Sequence, residues 1–191
     1  GTYINDTCIG TGDNTGPVSA RTLLKEPVVD IAVLETARGG IWRAGLGYDK
    51  SDIGIILNIT EDHLGVDGIE SLEELADLKS LVIETVKKEG ACILNAEDPL
   101  AASLARRASA PVVYFSIKAN NLLLESHCQL GGKAVYLEGN TLVYQEGPYK
   151  RFILEDVREV PFTFKGLAVH NLENILAATA AALCSGVEAE I

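Results

Sequence analysis

Ile53-Gly54-Ile55-Ile56-Leu57-Asn58, then a helical pattern opened by Ser71-Leu72-Glu73-Glu74, then Ala91-Cys92-Ile93-Leu94-Asn95: this succession decides the fold. The two apolar runs have no polar alternation, as expected of strands covered on both faces of a parallel sheet. Between them, Ser71 with Glu74 forms a capping-box pattern, and Leu72, Leu75, Leu78, Val82 and Val86 fall on one helical face. The helix is expected to run from Ser71 to Lys88, ending at Gly90 after two lysines that suit the negative end of its dipole.

Working outward, Val28–Leu34 and Val112–Phe115 read as two more buried strands, and Pro99–Arg107 as a shorter helix. Thr2–Ile9 reads as a short hairpin or edge strand. A polar Gly10–Gly16 loop follows, and then a helix from Pro17 to about Lys25 with Thr15 near its cap. Past residue 130 the pattern changes to short strands at Ala134–Leu137, Leu142–Gln145 and Arg151–Leu154, separated by Gly139-Asn140 and Gly147-Pro148, which predicts a small antiparallel hairpin region. An Ala-rich helix, Asn171–Cys184, closes the pattern before Gly186. Alternating strands and helices place the chain in the α/β class, with an open, mostly parallel sheet flanked by helices.

The chain has 191 residues, enough for one sizeable core, and 47% of them are hydrophobic. The formal net charge of -11 argues against a phosphate-tracking nucleic-acid surface, which needs clustered Lys and Arg. No apolar run reaches the ~20 residues of a membrane-spanning helix. Cys8, Cys92, Cys128 and Cys184 have no CxxC spacing and read as reduced thiols of a cytoplasmic protein rather than zinc ligands. A chain with neither an initiator Met nor any other reads as a piece of a longer polypeptide.

Ligands of parallel α/β sheets gather beyond the carboxyl ends of the strands. That rule selects Glu35-Thr36-Ala37-Arg38-Gly39-Gly40, Asn58-Ile59-Thr60-Glu61-Asp62-His63 and Asn95-Ala96-Glu97-Asp98. Converging carboxylates and amides there suit a hard cation such as Mg²⁺, which takes one or two protein ligands plus waters and phosphate oxygens. Each cluster also has a structural alternative: Glu35 capping a turn, Asp62-His63 satisfying loop backbone, Asn95 and Asp98 serving as turn and N-cap residues, and Gly39-Gly40 permitting a bend. Gly131-Gly132-Lys133-Ala134 and Gly10-Thr11-Gly12 both fail as phosphate loops. The first lacks the following Ser or Thr and precedes a strand; no buried parallel strand leads into the second.

Five stretches in order, Gly12-Asp13-Asn14-Thr15-Gly16-Pro17, Leu34–Ile41, Asn58–Gly65, Leu94–Pro99 and His170-Asn171-Leu172-Glu173-Asn174, resemble the central, ATP-binding domain of the Mur ligase family, and within it the cyanophycin-synthetase branch. The resemblance covers nearly the whole chain. It implies an ATP-dependent carboxylate–amine ligase that activates a carboxylate as an acyl phosphate, here joining arginine to aspartate side chains of a poly-aspartate or cyanophycin-like acceptor. ATP and Mg²⁺ are the implied cofactors, and family members are often homo-oligomers. Glu35 and His63 match the metal-binding positions, and Asn174 matches the adenine-recognising asparagine, with Asn171 and His170 beside it. Lys79 matches a lysine that is carbamylated in several relatives. The interval from His63 to Lys79 is longer than in the cell-wall enzymes, so an ordinary helix-face lysine stays open. Thr15, Asn14 and Arg38 are placed on the acceptor or phosphate. The resemblance further implies that the family's phosphate-binding loop precedes residue 1, that its C-terminal domain follows residue 191, and that the isolated chain is inactive. Another Mur-type ligase, or a non-catalytic binding module of the same fold, remains the alternative.

Overall fold

The computed structural model describes residues 1–61, 65 and 68–188. Thr2–Ile4 (β1) and Thr7–Gly10 (β2) form a separate antiparallel hairpin, followed by helices Pro17–Leu23 (α1) and Arg38–Ala44 (α2). The main sheet then runs Ser51–Ile56 (β3), Val86–Asn95 (β4), Val112–Ser116 (β5), Lys133–Glu138 (β6), Thr141–Glu146 (β7) and Lys150–Asp156 (β8) in unbroken spatial order. The β3–β4, β4–β5 and β5–β6 pairs are parallel, and the last two pairs antiparallel. The expected hairpin region is therefore the far half of the same sheet. Helices Leu72–Glu84 (α3), Pro99–Ser103 (α4), Leu122–Gln129 (α5) and Val169–Cys184 (α6) cover it. A 3₁₀ turn, Leu104–Arg107, continues α4.

Alternation along the strands divides the core. Ile93, Val113, Phe115, Val135 and Leu137 pack with Leu172, Leu176, Ala177 and Ala180 of α6. Their neighbours Cys92, Leu94 and Tyr114 face Leu75, Ala76 and Ile83 of α3 and Ala101 of α4. Ala134, Tyr136 and Val143 face Leu124 and Cys128 of α5. Both faces of the parallel half are thus buried, which is why its strands carry no polar alternation. The Ala-rich stretch of α6 supplies small side chains on the face it packs against the sheet.

Two expectations are corrected. The Ser71 capping box forms as expected, with Ser71 and Glu74 bonding reciprocally, but α3 ends at Glu84 rather than Lys88. Thr85 turns its hydroxyl back onto Leu81 O (2.9 Å), and Val86, 1% exposed, enters β4 opposite Ser51. The lysines that resembled a helix end lie in the following bulge, where Lys87 meets Asp52 at 2.6 Å. Gly90 completes this bulge by close approach: a Cβ there would lie 2.0 Å from Asp52 O. The second correction concerns Val28–Leu34, which is irregular rather than a buried strand. Val28, Ile31 and Val33 are 65%, 77% and 90% exposed. A strand exists only by its ladder, and no strand among the described residues pairs with this run.

His127, in the last turn of α5, places its Nε2 3.0 Å from Val112 O and its ring edge-on to Tyr114. Burial holds its pKa below 6.5, with backbone bonds to Val112 and Lys133 opposing. The unfolded chain then binds the proton that the folded chain refuses, so His127 costs no stability above about pH 6.5 and an increasing amount as pH falls below it. The unfolding free energy from urea titration is expected to stay level from pH 7.5 to about 6.5 and then to fall toward pH 5.5 by up to about 1.4 kcal/mol per pH unit, and His127→Gln to flatten that fall. Gly90→Ala is expected to cost about 3 kcal/mol or more in the same assay, because backbone rather than a flexible side chain must yield.

Candidate active site

Two groups of polar residues lie at the loops that precede and follow the strands. In the first, Ala37 N donates to Thr15 O (3.2 Å), docking the segment after Glu35 onto the Gly12–Pro17 loop. Asp13 accepts both the Thr15 amide (3.1 Å) and the Thr15 hydroxyl (2.7 Å), which lowers the Asp13 pKa. Asn14 spans the loop to Gly10 O at 3.3 Å. Gly47, at φ +85, brings its backbone against Pro17, where a Cβ would meet Pro17 O at 2.7 Å. The first turn of α1 and the end of α2 are locked together there. Arg38 is half-buried as the first residue of α2, and Glu35 presents an exposed carboxylate just before it.

In the second group, the carboxyl ends of β3 and β4 are joined by side chains. Asn95, 1% exposed, donates through Nδ2 to Asn58 Oδ1 (3.0 Å) and accepts the Glu97 amide on its own Oδ1 (2.9 Å). Asn58 donates in turn to Glu173 Oε2 (3.3 Å), in the first turns of α6, and its main-chain carbonyl accepts Lys79 Nζ (2.9 Å) from α3. Asp98 caps α4 through the Leu100 and Ala101 amides, while its other oxygen takes the Ile59 amide at 2.6 Å. A cavity of about 460 Å³ opens here, lined by Asn58, Ile59, Asn95, Asp98, Leu100 and Glu173 among others, a size that accommodates a small-molecule ligand.

Of the second strand-end cluster, Asn58 and Ile59 meet Asn95 and Asp98 of the third, on terms set by packing, while Asp62 and His63 lie outside the described residues. Asn95 and Asp98 take the turn and N-cap roles that were the structural alternative. Glu97 is occupied by Lys118 (2.5 Å) and by the Ser116 hydroxyl (2.8 Å). No group of three or more His, Cys, Asp or Glu that could close on a metal exists among the described residues, and His63 lies outside them. Along α6, His170 and Asn174 are exposed and four residues apart, while Asn171 donates to Phe162 O at 2.5 Å and ties the preceding loop to the helix. Glu173 was not singled out from the sequence; an isolated acid within a helix carries no local signal of a partner 115 positions away.

A family model described as the Mur ligase middle domain matches residues 1–182. The chain belongs to that family. Cyanophycin synthetase of Synechocystis sp. is 42% identical over 189 residues, covering 99% of this chain and 22% of the relative. The Crocosphaera subtropica cyanophycin synthetase is 43% identical over 190 residues, again 22% of its length. A UDP-N-acetylmuramoylalanine–D-glutamate ligase of Thermoanaerobacter sp. is 32% identical over 142 residues, 74% of this chain and 28% of the relative. The chain thus spans about a fifth of the length of the cyanophycin synthetases it matches. Among solved structures, MurF from Acinetobacter baumannii superposes with a TM-score of 0.42 at 22% identity, over 73% of this chain and 27% of that one.

In this Mur ligase middle domain, Asp98 joins the segment leaving β3 to the cap of α4. Asp98→Ala is expected to cost about 2–3 kcal/mol, the sum of a lost cap and a lost charged hydrogen bond to Ile59. Asp98→Asn, which keeps one acceptor oxygen, is expected to cost about half of that. Equilibrium urea unfolding of both variants checks the order.

Proposed function

We propose that this chain is the nucleotide-binding core of a longer ATP-dependent ligase that joins arginine to aspartate side chains of a poly-aspartate or cyanophycin-like acceptor. The observation that carries the reading is the match along the whole chain to cyanophycin synthetases at 42–43% identity, together with the docking of the Gly12–Pro17 loop onto the segment after Glu35. Amide formation from a carboxylate is uphill, and ATP supplies a phosphate leaving group that the attacking amine displaces.

This chain's residues have divided parts in that reaction. His170 and Asn174 stand exposed on one side of α6, where a purine edge finds hydrogen-bonding partners. The Thr15 and Asn14 loop, rigidified by Asp13 and Gly10, borders the acceptor, with Arg38 beside it to meet anionic charge. The exposed carboxylate of Glu35 fits a hard cation that needs one or two protein oxygens, and His63 is proposed as its second ligand. Bound there, Mg²⁺ supplies positive charge against the phosphoryl oxygens. Lys79, held by the Asn58 carbonyl, braces the loop that follows β3.

The reading includes a longer polypeptide that brings the phosphate-binding loop and a C-terminal ligase domain; the isolated chain is then inactive, and the whole enzyme is a soluble cytoplasmic protein, assembled as an oligomer. Val28, Ile31 and Val33 support this extension, since an exposed β-branched run gains most when further structure covers it.

The test is ADP release by the parent polypeptide with an aspartate-rich acceptor. Arginine-dependent release is expected, with Glu35→Ala lowering it by about a hundredfold or more, consistent with loss of a charge that stabilises the transition state. Turnover with another amine in place of arginine would retain the ligase and remove the cyanophycin reading. No turnover with any amine, in a folded parent polypeptide, would leave a binding module.

A further inference from the structure

Strand β8, Lys150-Arg151-Phe152-Ile153-Leu154-Glu155-Asp156, closes the far side of the main sheet, and no strand among the described residues pairs with its outer edge. Exposure alternates along it: Arg151, Ile153 and Glu155 are exposed, while Phe152, Leu154 and Asp156 are half-buried. Phe152 and Leu154 pack against the core that includes α6. The register with β7 slips by one residue between Ile153 and Glu155, yet the alternation of exposure runs through the slip. Ile153, at the centre of the strand, is 64% exposed although its partner across the ladder, Val143, is fully buried. An open edge with an exposed β-branched centre is a template for a further strand.

The charges on this edge have an order. A run of one sign would repel a second copy of the same strand, which is one way that free edges are kept apart. Here two cations open the strand and two anions close it, with apolar residues between. Laid antiparallel on itself with Ile153 on a two-fold axis, the strand sets Lys150 opposite Asp156, Arg151 opposite Glu155, Phe152 opposite Leu154, and Ile153 opposite its own copy. Each opposed pair is then oppositely charged or apolar, and such pairs support antiparallel sheets. A parallel pairing in register sets every charge against its like. An antiparallel register displaced by two residues sets Ile153 against a charge.

These charges have partners within the single copy. Arg151 pairs with Glu138, Lys150 lies 3.7 Å from Glu146, Asp156 holds Arg158, and Glu155 accepts the Asp156 amide at 2.9 Å. Exposed ion pairs are worth little each, so exchanging one for a charge on a second copy costs little. Asp156 also accepts the Arg158 amide and is the most committed of the four. Discrimination therefore falls on Arg151, Ile153 and Glu155.

We propose that β8 is a self-recognition edge, pairing antiparallel with β8 of a second copy of this chain about a two-fold axis at Ile153. The contact is isologous and continues the sheet from one copy into the next. It gives a surface to the oligomer in the reading above and rests on that part of it alone. Across the sheet β8 stands about 19 Å from β4, so the edge and the ligase chemistry can each fail without the other.

The test is disulfide formation in the parent polypeptide under mild oxidation, with the unsubstituted parent giving the background from native cysteines. Seven residues supply only part of the ~800 Å² per partner of a standard interface, so cross-linking is the readout rather than size. Ile153→Cys changes an exposed side chain and is expected to give a covalent dimer at about fivefold or more above background, because opposed Cβ atoms lie about 5 Å apart. Arg151→Cys is expected to stay at background, since its own copy lies about 14 Å away, while mixing it with Glu155→Cys forms the dimer. Added to Ile153→Cys, Arg151→Glu and Glu155→Arg are each expected to lower the yield about fivefold or more by setting like charges opposite. Mixing those two proteins is expected to restore it, whereas a merely structural effect of either change would survive mixing. Should Arg151→Glu not fold, Glu155→Arg, which leaves the Arg151–Glu138 pair in place, carries the loss alone. No dimer at Ile153→Cys, equal yields at Ile153→Cys and Arg151→Cys, or no recovery on mixing would overturn the proposal. A parent polypeptide that still sediments as an oligomer in those cases keeps its oligomer through another surface, and its ADP release still tests the ligase reading separately.

Discussion

A buried primary amide has two donors and a two-lone-pair acceptor to satisfy, and at the carboxyl end of β4 water is not there to do it. Asn95 meets this constraint by spanning to Asn58 on β3 and back to the Glu97 amide. The backbone ladder between β3 and β4 ends at Ile56 and Leu94, so beyond that point side chains alone hold the two chain exits in register. Everything that follows the strands is placed relative to that bridge. The loop after β3 starts from Asn58, α4 is capped by Asp98 three residues after Asn95, and α6 is tied down through Glu173. The opposite ends of the strands are held by a different device, the Gly90 bulge and its close contact with Asp52. The sheet is thus pinned by sterics at one end and by a hydrogen-bonded chain at the other.

The division between the two ends has a functional logic. A glycine contact has no alternative partner and tolerates no movement, which suits the end of the sheet away from the candidate site. Hydrogen bonds between side chains can lengthen, rotate or exchange with a ligand at a cost of a few kcal/mol at most. Placing them at the end that bears the candidate site holds the loops there in register through contacts that can exchange. The Gly12–Pro17 loop is built in the same manner, with Asp13 and Asn14 closing it through polar contacts and a glycine, Gly47, permitting the close approach of backbone beneath.

What could be read from the sequence was whatever depends on near neighbours. The capping box at Ser71, the β-branched runs of β3 to β5, and the hairpin turn at Gly139-Asn140 all carry their information within a few residues, and each stands where expected. The end of α3 was misread because Lys87, Lys88 and Gly90 make a plausible helix terminus locally, while the actual terminus is set by burial of Val86 and pairing of Ser51, both tertiary. Helix α2 was missed because Gly39-Gly40 depresses helix propensity, and it survives through Ile41, which is buried. In the site, Asn58, Asn95 and Asp98 were legible as strand-end polar residues but their division of labour was not. Whether a carboxylate caps a helix, pairs with Lys118 or remains open to a ligand depends on partners distant in sequence, as Glu97 shows.

The segment before α6 shows the same limit from the other side. Phe164 and Lys165 both adopt φ near +55, a conformation that costs a non-glycine residue about 1 kcal/mol or more. Phe162, Phe164 and Leu167 are also largely exposed, so burial of these side chains does not offset the cost. What does is backbone satisfaction. The Thr163 hydroxyl, buried, reaches Val157 O (2.6 Å) and Val160 O (2.8 Å), and the Gly166 and Ala168 amides return to Thr163. Asn171 then secures Phe162 O from the helix. The chain is thereby turned sharply enough to begin α6 where Glu173 can reach Asn58, with His170 and Asn174 left facing solvent. A strained turn that exposes aromatic side chains has little value to stability alone. Its value is positional, because it sets where the polar first turns of α6 stand relative to the strand ends.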